Sequence, residues 1–153
     1  MSVESVKAFF KERNLNYKVL ELDSLTSTVT LAAKALGVEQ GQIAKTLVFK
    51  LQNNEILLIV VRGDARIDNK KFRKKFTKGK MLSPDEVELE TGHPVGGVCP
   101  FGLSKNIPIY LDISLKAFNE IFPAAGAINA AVKVPTDELF QILKAEWVDI
   151  CKQ

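Results

Sequence analysis

The run Glu55–Arg62, which reads EILLIVVR, constrains the fold more than any other stretch of the chain. Successive side chains of a β-strand point to opposite faces, so a strand that is apolar along its length must be covered on both faces. A second β-rich run, Lys45–Leu51, is separated from it by Gln52, Asn53 and Asn54, residues typical of a hairpin turn. The two runs predict a hairpin in a sheet whose central strand is covered on both sides.

Helix signals flank this hairpin on both sides. Candidate N-caps precede most of the predicted helices: Ser2, Thr28, Asp68, Ser83 and Thr136. One further helix is predicted over Ser114–Ile121. The chain shows no internal repeat and no linker, and 153 residues suit one domain. The sequence therefore predicts a single α+β domain over residues 1–153.

Composition excludes several classes of protein. Apolar residues make up 46% of the chain and charged residues 25%, values ordinary for a globular protein. The amino-terminal stretch is charged and lacks the apolar segment of a signal peptide, and the longest apolar run, Ile56–Val61, is far too short to cross a bilayer. Two cysteines, Cys99 and Cys151, are too few for a disulfide scaffold. These features predict a cytoplasmic protein with no membrane partner.

The net charge of +3 conceals a strongly basic segment. Between Arg62 and Lys80 nine residues are basic and two, Asp64 and Asp68, are acidic, so the segment carries +7 and the rest of the chain −4. Such a segment is often only a solvated helix face. It is also typical of a surface that binds a polyanion, since lysine and arginine contacts to phosphate supply most non-specific affinity for nucleic acids.

Glycine and proline are concentrated in the stretch Thr91–Leu103, which reads TGHPVGGVCPFGL. It holds four of the nine glycines and two of the six prolines of the chain. One interpretation is a tight connection between two strands. The other is a fixed loop, called the glycine loop below, whose backbone N–H groups near Gly96 and Gly97 are open to a bound group.

Lys45 is the most unusual single residue. Strand alternation places its side chain on the same face as Leu47 and Phe49, which is the more apolar face of the predicted strand. A lysine in that position either extends its ammonium to solvent from a strand end or lines a pocket, where desolvation lowers its pKa. Strand periodicity leaves both interpretations open.

The only histidine of the chain, His93, and Cys99 both lie in the glycine loop. A Cys–His hydrolase is one hypothesis for this pair. No acid is positioned to orient His93, however, and cysteine is common as a small buried residue. The sequence also lacks the ligand spacings of a zinc site, so no metal is predicted.

Three segments together resemble the YbaK/EbsC family. They read IAKTLVF (residues 43–49), GGVCPFG (96–102) and PAAGAINAAVKV (123–134), in this order. These proteins are free-standing aminoacyl-tRNA deacylases, similar to the editing domain of bacterial prolyl-tRNA synthetases. The resemblance covers essentially the whole chain. It implies a mixed, mostly antiparallel sheet or partial barrel flanked by helices, and hydrolysis of the ester that joins a wrong amino acid to tRNA.

The resemblance also implies roles for particular residues and partners, with no cofactor. The family's lysine falls on Lys45, which becomes the catalytic candidate, and the substrate is mischarged tRNA, with tRNA(Pro) and prolyl-tRNA synthetase as expected partners. The expected substrate-binding residues are Thr28, Thr46, Gly96, Gly97, Val98, Ala124, Ala125, Gly126 and Asn129. A secondary hypothesis rests on charge and not on the resemblance: the basic helix contacts tRNA through Lys70, Lys71, Arg73, Lys74 and Lys75.

Two departures from the family's sequence pattern leave open which amino acid is removed from the tRNA. The cysteine-specific branch of the family has serine where this chain has Ala124, and an aromatic residue where this chain has Thr28 or a neighbour. A small aliphatic or hydroxyl-bearing amino acid is as compatible with the sequence as cysteine. A non-catalytic module of the same fold, which binds tRNA or a synthetase, is the alternative hypothesis.

Overall fold

A curled mixed sheet with helices on both faces is seen in the computed structural model, which describes residues 2–153. Helices α1–α5 cover Ser2–Glu12, Val29–Leu36, Asn69–Phe76, Pro84–Thr91 and Thr136–Leu143. Strands β1–β9 cover Val19–Glu21, Ile43–Leu51, Ile56–Arg62, Gly79–Met81, Ile109–Asp112, Glu120–Pro123, Ala130–Val132, Val134–Pro135 and Glu146–Val148. Two 3-10 helices cover Gln40–Gln42 and Ile113–Ala117. No helix within residues 2–153 is long and apolar enough to span a membrane.

The predicted hairpin lies at the centre of the sheet. Strands β2 and β3 pair antiparallel from Ala44 opposite Arg62 to Lys50 opposite Ile56. Side chains of β3 alternate between the two faces of the sheet: Val60 packs with α1 and α5 on one face, while Ile59 packs with α3 on the other. The prediction of a strand covered on both faces is confirmed.

Strand order in the main sheet is β8-β6-β2-β3-β5-β9, and β4 also pairs with β2. The pairs β2–β6, β3–β5 and β5–β9 are parallel, and the other pairs are antiparallel. Strands β1 and β7 form a separate antiparallel pair. The expected α+β fold, a mixed sheet in a partial barrel flanked by helices, is confirmed, although parallel and antiparallel pairs are equally numerous in the main sheet.

One edge of β2 is left without a neighbour in its middle. Strand β4 pairs with Phe49–Leu51 at the end of β2, and β6 pairs with Ile43 and Ala44 at its start. Within residues 2–153, no strand pairs with this edge between Lys45 and Leu47. Main-chain groups on an unpaired strand edge can bind another chain or a ligand, so this gap is a candidate position for a site.

Local capping explains most helix starts. Thr28 accepts a hydrogen bond from the Leu31 N–H, Asp68 accepts from the N–H groups of Lys70 and Lys71, and Ser83 forms a capping box with Glu86. These three predicted caps are confirmed. Each cap satisfies N–H groups that have no partner inside the helix, which is why the signal can be read from the sequence.

Two helix predictions are wrong in the carboxyl-terminal third. Residues 114–121 form a 3-10 helix followed by β6 rather than one α-helix, because Ile121 is buried and β6 pairs with the start of β2. Thr136 is the first residue of α5 and not its cap. Its hydroxyl donates instead to the Phe118 carbonyl oxygen at 2.6 Å, which ties α5 to the preceding loop.

A buried histidine joins α1 to the glycine loop. The Nε2–H of His93 donates to the Phe101 carbonyl oxygen at 2.7 Å, so Nδ1 accepts from the Ser2 hydroxyl. Gly102 lies against the same helix with φ of +63°, and a Cβ there would be 2.4 Å from the Ser5 carbonyl oxygen. Helix α1 therefore sets the position of the loop.

The pH dependence of stability should reveal this histidine. Burial lowers the pKa of His93 below its ordinary value, although its bond to Phe101 opposes the shift. As pH falls below about 6.5, the unfolded chain takes up the proton before the folded chain does, so the free energy of unfolding should fall. We expect urea titrations at pH 7.5 and 5.5 to show this loss in the wild type and a smaller loss in His93→Gln. Because His93 is the only histidine, equal losses in both proteins would contradict this assignment.

Candidate active site

A cavity of about 260 Å³ occupies the gap at the edge of β2. Its walls come from four parts of the chain: the edge of β2, the segment before and into α2, the β4–α4 region, and the glycine loop with β6 and β7. Among the residues that line it are Thr28, Lys45, Thr46, Met81, Val95, Gly96, Val98, Ala124 and Ala131. The surroundings are mainly apolar, with a few polar groups, as in most small-molecule sites.

Lys45 lies at this cavity with its ammonium group held by the protein. The Nζ–H donates to the Ala65 carbonyl oxygen at 2.6 Å, in the turn that follows β3. Burial lowers the pKa of Lys45 below its ordinary value, and Arg66 adds to this effect, whereas Cys151 and Asp64 oppose it. The ammonium is thus partly desolvated and oriented, which is not the arrangement of a lysine that merely extends into solvent.

Thr46 brings three polar groups to the same cavity. Its hydroxyl oxygen is buried and has no hydrogen-bond partner within residues 2–153. The Val48 carbonyl accepts from the Leu82 N–H, so Val48 faces the β4 edge, and strand alternation places the N–H and C=O of Thr46 on that same edge. These main-chain groups lie in the gap between β4 and β6. A buried polar group without a partner is rare in folded proteins and often marks a ligand site.

The glycine loop contributes some of its predicted residues and not others. Gly96 and Val98 line the cavity, and their N–H groups have no hydrogen-bond partner among the described residues. Gly97 does not line it: its N–H donates to the Pro94 carbonyl, and a Cβ there would lie 2.5 Å from the Ala127 nitrogen. Gly97 therefore holds the loop against the segment that follows β6.

The predicted substrate-binding residues between 124 and 129 are similarly divided. Ala124 lines the cavity, whereas Ala125 is fully buried in the core and Gly126 donates to the Gly97 carbonyl. Asn129 lies outside the lining, and its side-chain amide donates to the Leu22 carbonyl at 2.9 Å. The structure thus brings together Thr28, Lys45, Thr46, Gly96, Val98 and Ala124, and it does not bring Gly97, Ala125, Gly126 and Asn129 to the cavity.

The Cys–His hydrolase hypothesis is not supported by the geometry. Cys99 is fully buried, and burial raises the pKa of its thiol to about 12. His93 is also fully buried and uses both ring nitrogens for structural bonds. A thiol that remains protonated and has no access to solvent is a poor nucleophile. In the part of the chain described, 2–153, no group of three His, Cys, Asp or Glu side chains is placed to hold a metal ion.

The basic helix α3 is partly neutralised by the protein itself. Lys71 pairs with Asp149 at 3.0 Å and Lys75 pairs with Glu146 at 2.6 Å. The other three predicted tRNA contacts have no acidic partner within the described residues, and they are Lys70, Arg73 and Lys74. The free positive charge of α3 is therefore smaller than the sequence suggests.

Sequence reasoning missed a second group of lysines. Lys50 and Lys80 are directly opposite each other across β2 and β4, and both flank a depression that Lys78 also lines. None of the three forms an ion pair within residues 2–153. Like charges opposite each other destabilise a strand pair, so an anion bound there would relieve the repulsion. The pairing was not predicted because β4 was not predicted, and the only sequence signal was the basic composition of the segment.

Comparison with known proteins assigns the family. A family model described as the aminoacyl-tRNA editing domain matches residues 23–142. The chain is 45% identical to the protein YwhH of Bacillus subtilis over 99% of this chain and 98% of that protein. It is 28% identical to EbsC of Enterococcus faecalis, named as a candidate Cys-tRNA(Pro)/Cys-tRNA(Cys) deacylase, over 77% of this chain and 73% of that one.

A solved structure supports the same assignment. The crystal structure of a protein described as a candidate trans-editing enzyme for prolyl tRNA synthetase superposes with a TM-score of 0.90 and 32% identity. The match covers 99% of this chain and 98% of that chain. On the matched sequence, the shared fold and the cavity on the β2 edge, the chain belongs to the aminoacyl-tRNA editing domain family, in the YbaK/EbsC group.

Proposed function

We propose that this protein hydrolyses, in trans, the ester bond of mischarged tRNA(Pro) that carries a small non-cognate amino acid. The observation that carries the proposal is that Lys45, Thr46, Gly96 and Val98 line one cavity. Within residues 2–153 the Thr46 hydroxyl and the N–H groups of Gly96 and Val98 have no hydrogen-bond partner. Membership of the editing family supports hydrolysis of aminoacyl-tRNA in general. The descriptions of EbsC and of the structural relative support tRNA(Pro) in particular.

The polar groups suit ester hydrolysis. Water adds to the ester carbonyl, and negative charge develops on the carbonyl oxygen. The bond between the acyl carbon and the ribose oxygen then breaks, and a proton from the water goes to the ribose oxygen, which releases the free amino acid and tRNA with its ribose hydroxyl. N–H donors of Gly96 and Val98 stabilise this oxyanion, and the Lys45 ammonium adds positive charge in a partly desolvated site. An aminoacyl ester is already activated, so positioning and charge stabilisation are the main requirements.

Selection by size, the principle of the second sieve in editing, is the proposed source of selectivity. The whole cavity, about 260 Å³, is large enough for a prolyl side chain, so its volume alone does not exclude one. The selecting part is proposed to be the wall formed by the alanines Ala32, Ala124 and Ala131. The polar edge of Thr46 is available to bind the amino acid's own amino or carbonyl group.

The basic residues near the cavity suit the tRNA end. Lys50 follows Thr46 by four residues on the same face of β2, which at about 3.3 Å per residue is roughly 13 Å. Lys50 and Lys80 are thus placed for phosphates of the nucleotides that precede the esterified one. Lys70, Arg73 and Lys74 on α3 extend the positive surface farther from the cavity.

Removal of the Lys45 ammonium should abolish most activity. We expect Lys45→Ala to lower the rate of ester hydrolysis on the order of a hundredfold, the usual effect of losing one oxyanion stabiliser. The measurement is deacylation of tRNA(Pro) that carries alanine, cysteine, serine or proline. Lys34→Ala, which changes an exposed lysine on α2, is the matched control and should retain the wild-type rate.

Two results would count against this function. Wild-type protein that binds tRNA(Pro) but cleaves none of the four esters would favour the non-catalytic binding module. Wild-type hydrolysis that survives in Lys45→Ala would remove Lys45 from the chemistry.

The salt dependence of tRNA binding should identify the phosphate contacts. The double variant Lys50→Gln/Lys80→Gln should weaken binding and reduce the slope of log affinity against log salt by about 1.4, since each contact to a single strand contributes about 0.7. Lys70→Gln/Lys74→Gln on α3 should act in the same direction. Lys105→Gln, on the exposed loop after the glycine loop, is the control and should leave the slope unchanged. An unaltered slope in a double variant would exclude that pair as phosphate contacts.

A further inference from the structure

The ammonium of Lys45 depends on a carbonyl group in the turn after β3. Lys45 donates to the Ala65 carbonyl oxygen at 2.6 Å, and this is the hydrogen bond that the structure gives to its Nζ. Among the described residues, one backbone hydrogen bond closes the turn itself, from the Ala65 N–H to the Arg62 carbonyl at 2.9 Å. The orientation of the Ala65 carbonyl therefore also depends on contacts that hold the residues after Ala65.

The segment Asp149–Lys152, called the 149–152 segment below, provides this support. The Lys152 N–H donates to the Arg66 carbonyl at 2.8 Å, and the Asp68 N–H donates to the Ile150 carbonyl at 2.8 Å. Ile67 and Cys151 form an antiparallel bridge between these two bonds. Residues 66–68 are therefore fixed by the 149–152 segment, immediately after the residue that binds Lys45.

The 149–152 segment is itself held by the buried carboxylate of Asp112. Asp112 is only 1% exposed, and its Oδ1 accepts from the Ile150 N–H at 2.8 Å, while its Oδ2 accepts from the Ser114 N–H at 2.9 Å. On the other side, the Lys71 ammonium donates to Asp149 and to the Cys151 carbonyl, both at 3.0 Å. The segment is held at each end by bonds to groups that carry charge, which are stronger than neutral ones.

The matched family model ends at residue 142, so the 149–152 segment lies outside the matched region. We propose that the 149–152 segment is a positioning element for Lys45: it fixes residues 66–68, which orient the Ala65 carbonyl, which in turn orients the ammonium. This inference rests on the proposed role of Lys45 in hydrolysis. A positioning defect of about 1 Å can lower a reaction rate on the order of a hundredfold, so the effect should be measurable.

One hydrogen bond of the 149–152 segment can be removed without changing a buried side chain. The Lys152 side chain is exposed, and its N–H is the group that binds Arg66. Lys152→Pro lacks this N–H, whereas Lys152→Ala keeps it and removes the same side chain. A chain that stops at Cys151 lacks the same N–H, loses only exposed residues, and serves where the proline variant does not fold.

The first readout is kinetic. We expect Lys152→Pro to lower kcat for the cleaved ester on the order of tenfold to a hundredfold, with KM within about threefold of wild type. Lys152→Ala should keep both values. A proline variant that unfolds cooperatively and retains wild-type kcat would overturn the proposal.

The second readout does not need activity. The pKa of Lys45, followed by NMR of its Nζ and Cε signals and assigned by their absence in Lys45→Ala, should rise in Lys152→Pro as the ammonium becomes more solvated, and it should not change in Lys152→Ala. The charged and titratable groups around the ammonium are Asp64, Arg66 and Cys151, and both Lys152 variants retain them. The chain that stops at Cys151 adds a terminal carboxylate at that residue, so it serves the kinetic readout and not this one. An unchanged pKa in Lys152→Pro would contradict the proposal. A raised pKa in a protein whose wild type cleaves no ester would support positioning and refute the proposed hydrolysis, so the two failures are distinguishable.

Discussion

The unpaired edge of β2 between β4 and β6 is the feature on which the candidate site depends. Strands β4 and β6 pair with the two ends of β2, so within residues 2–153 no strand pairs with the main-chain groups of Thr46 on that edge. An unpaired edge in a sheet core is costly unless water or a ligand satisfies it. On its other edge β2 is paired along most of its length with β3, which is buried on both faces, so the unpaired groups are confined to the edge that lines the cavity.

Two segments outside the matched family region hold the two sides of this site. Helix α1 positions the glycine loop through Ser2, Ser5 and His93, and the 149–152 segment holds the turn that binds Lys45. Both connections are long-range in sequence, and both use buried hydrogen bonds, whose loss leaves an unsatisfied polar group. The matched family region therefore supplies the chemical groups of the candidate site, and the two segments outside it hold those groups in position.

Some parts of the structure were predictable from sequence patterns, and others were not. The central hairpin and the caps at Thr28, Asp68 and Ser83 were predictable because alternation and capping are local properties. The region from Ser114 to Ile121 was not, since its pairing with distant β2 overrides local helix preference. Nor was the pairing of Lys50 with Lys80 predictable, because these two residues lie opposite each other only when β4 pairs with β2.

By itself, the sequence determined the hairpin, most helix starts, the family segments and the oddity of Lys45 on an apolar strand face. Only the tertiary structure decided that Gly96 and Val98 face the cavity while Gly97 holds the loop, and that Lys71 and Lys75 are neutralised by Asp149 and Glu146. The physical reason is the range of the interactions. Periodicity and capping act over a few residues and can be read from the chain, whereas partners for hydrogen bonds and charges are chosen by which distant segments pack together.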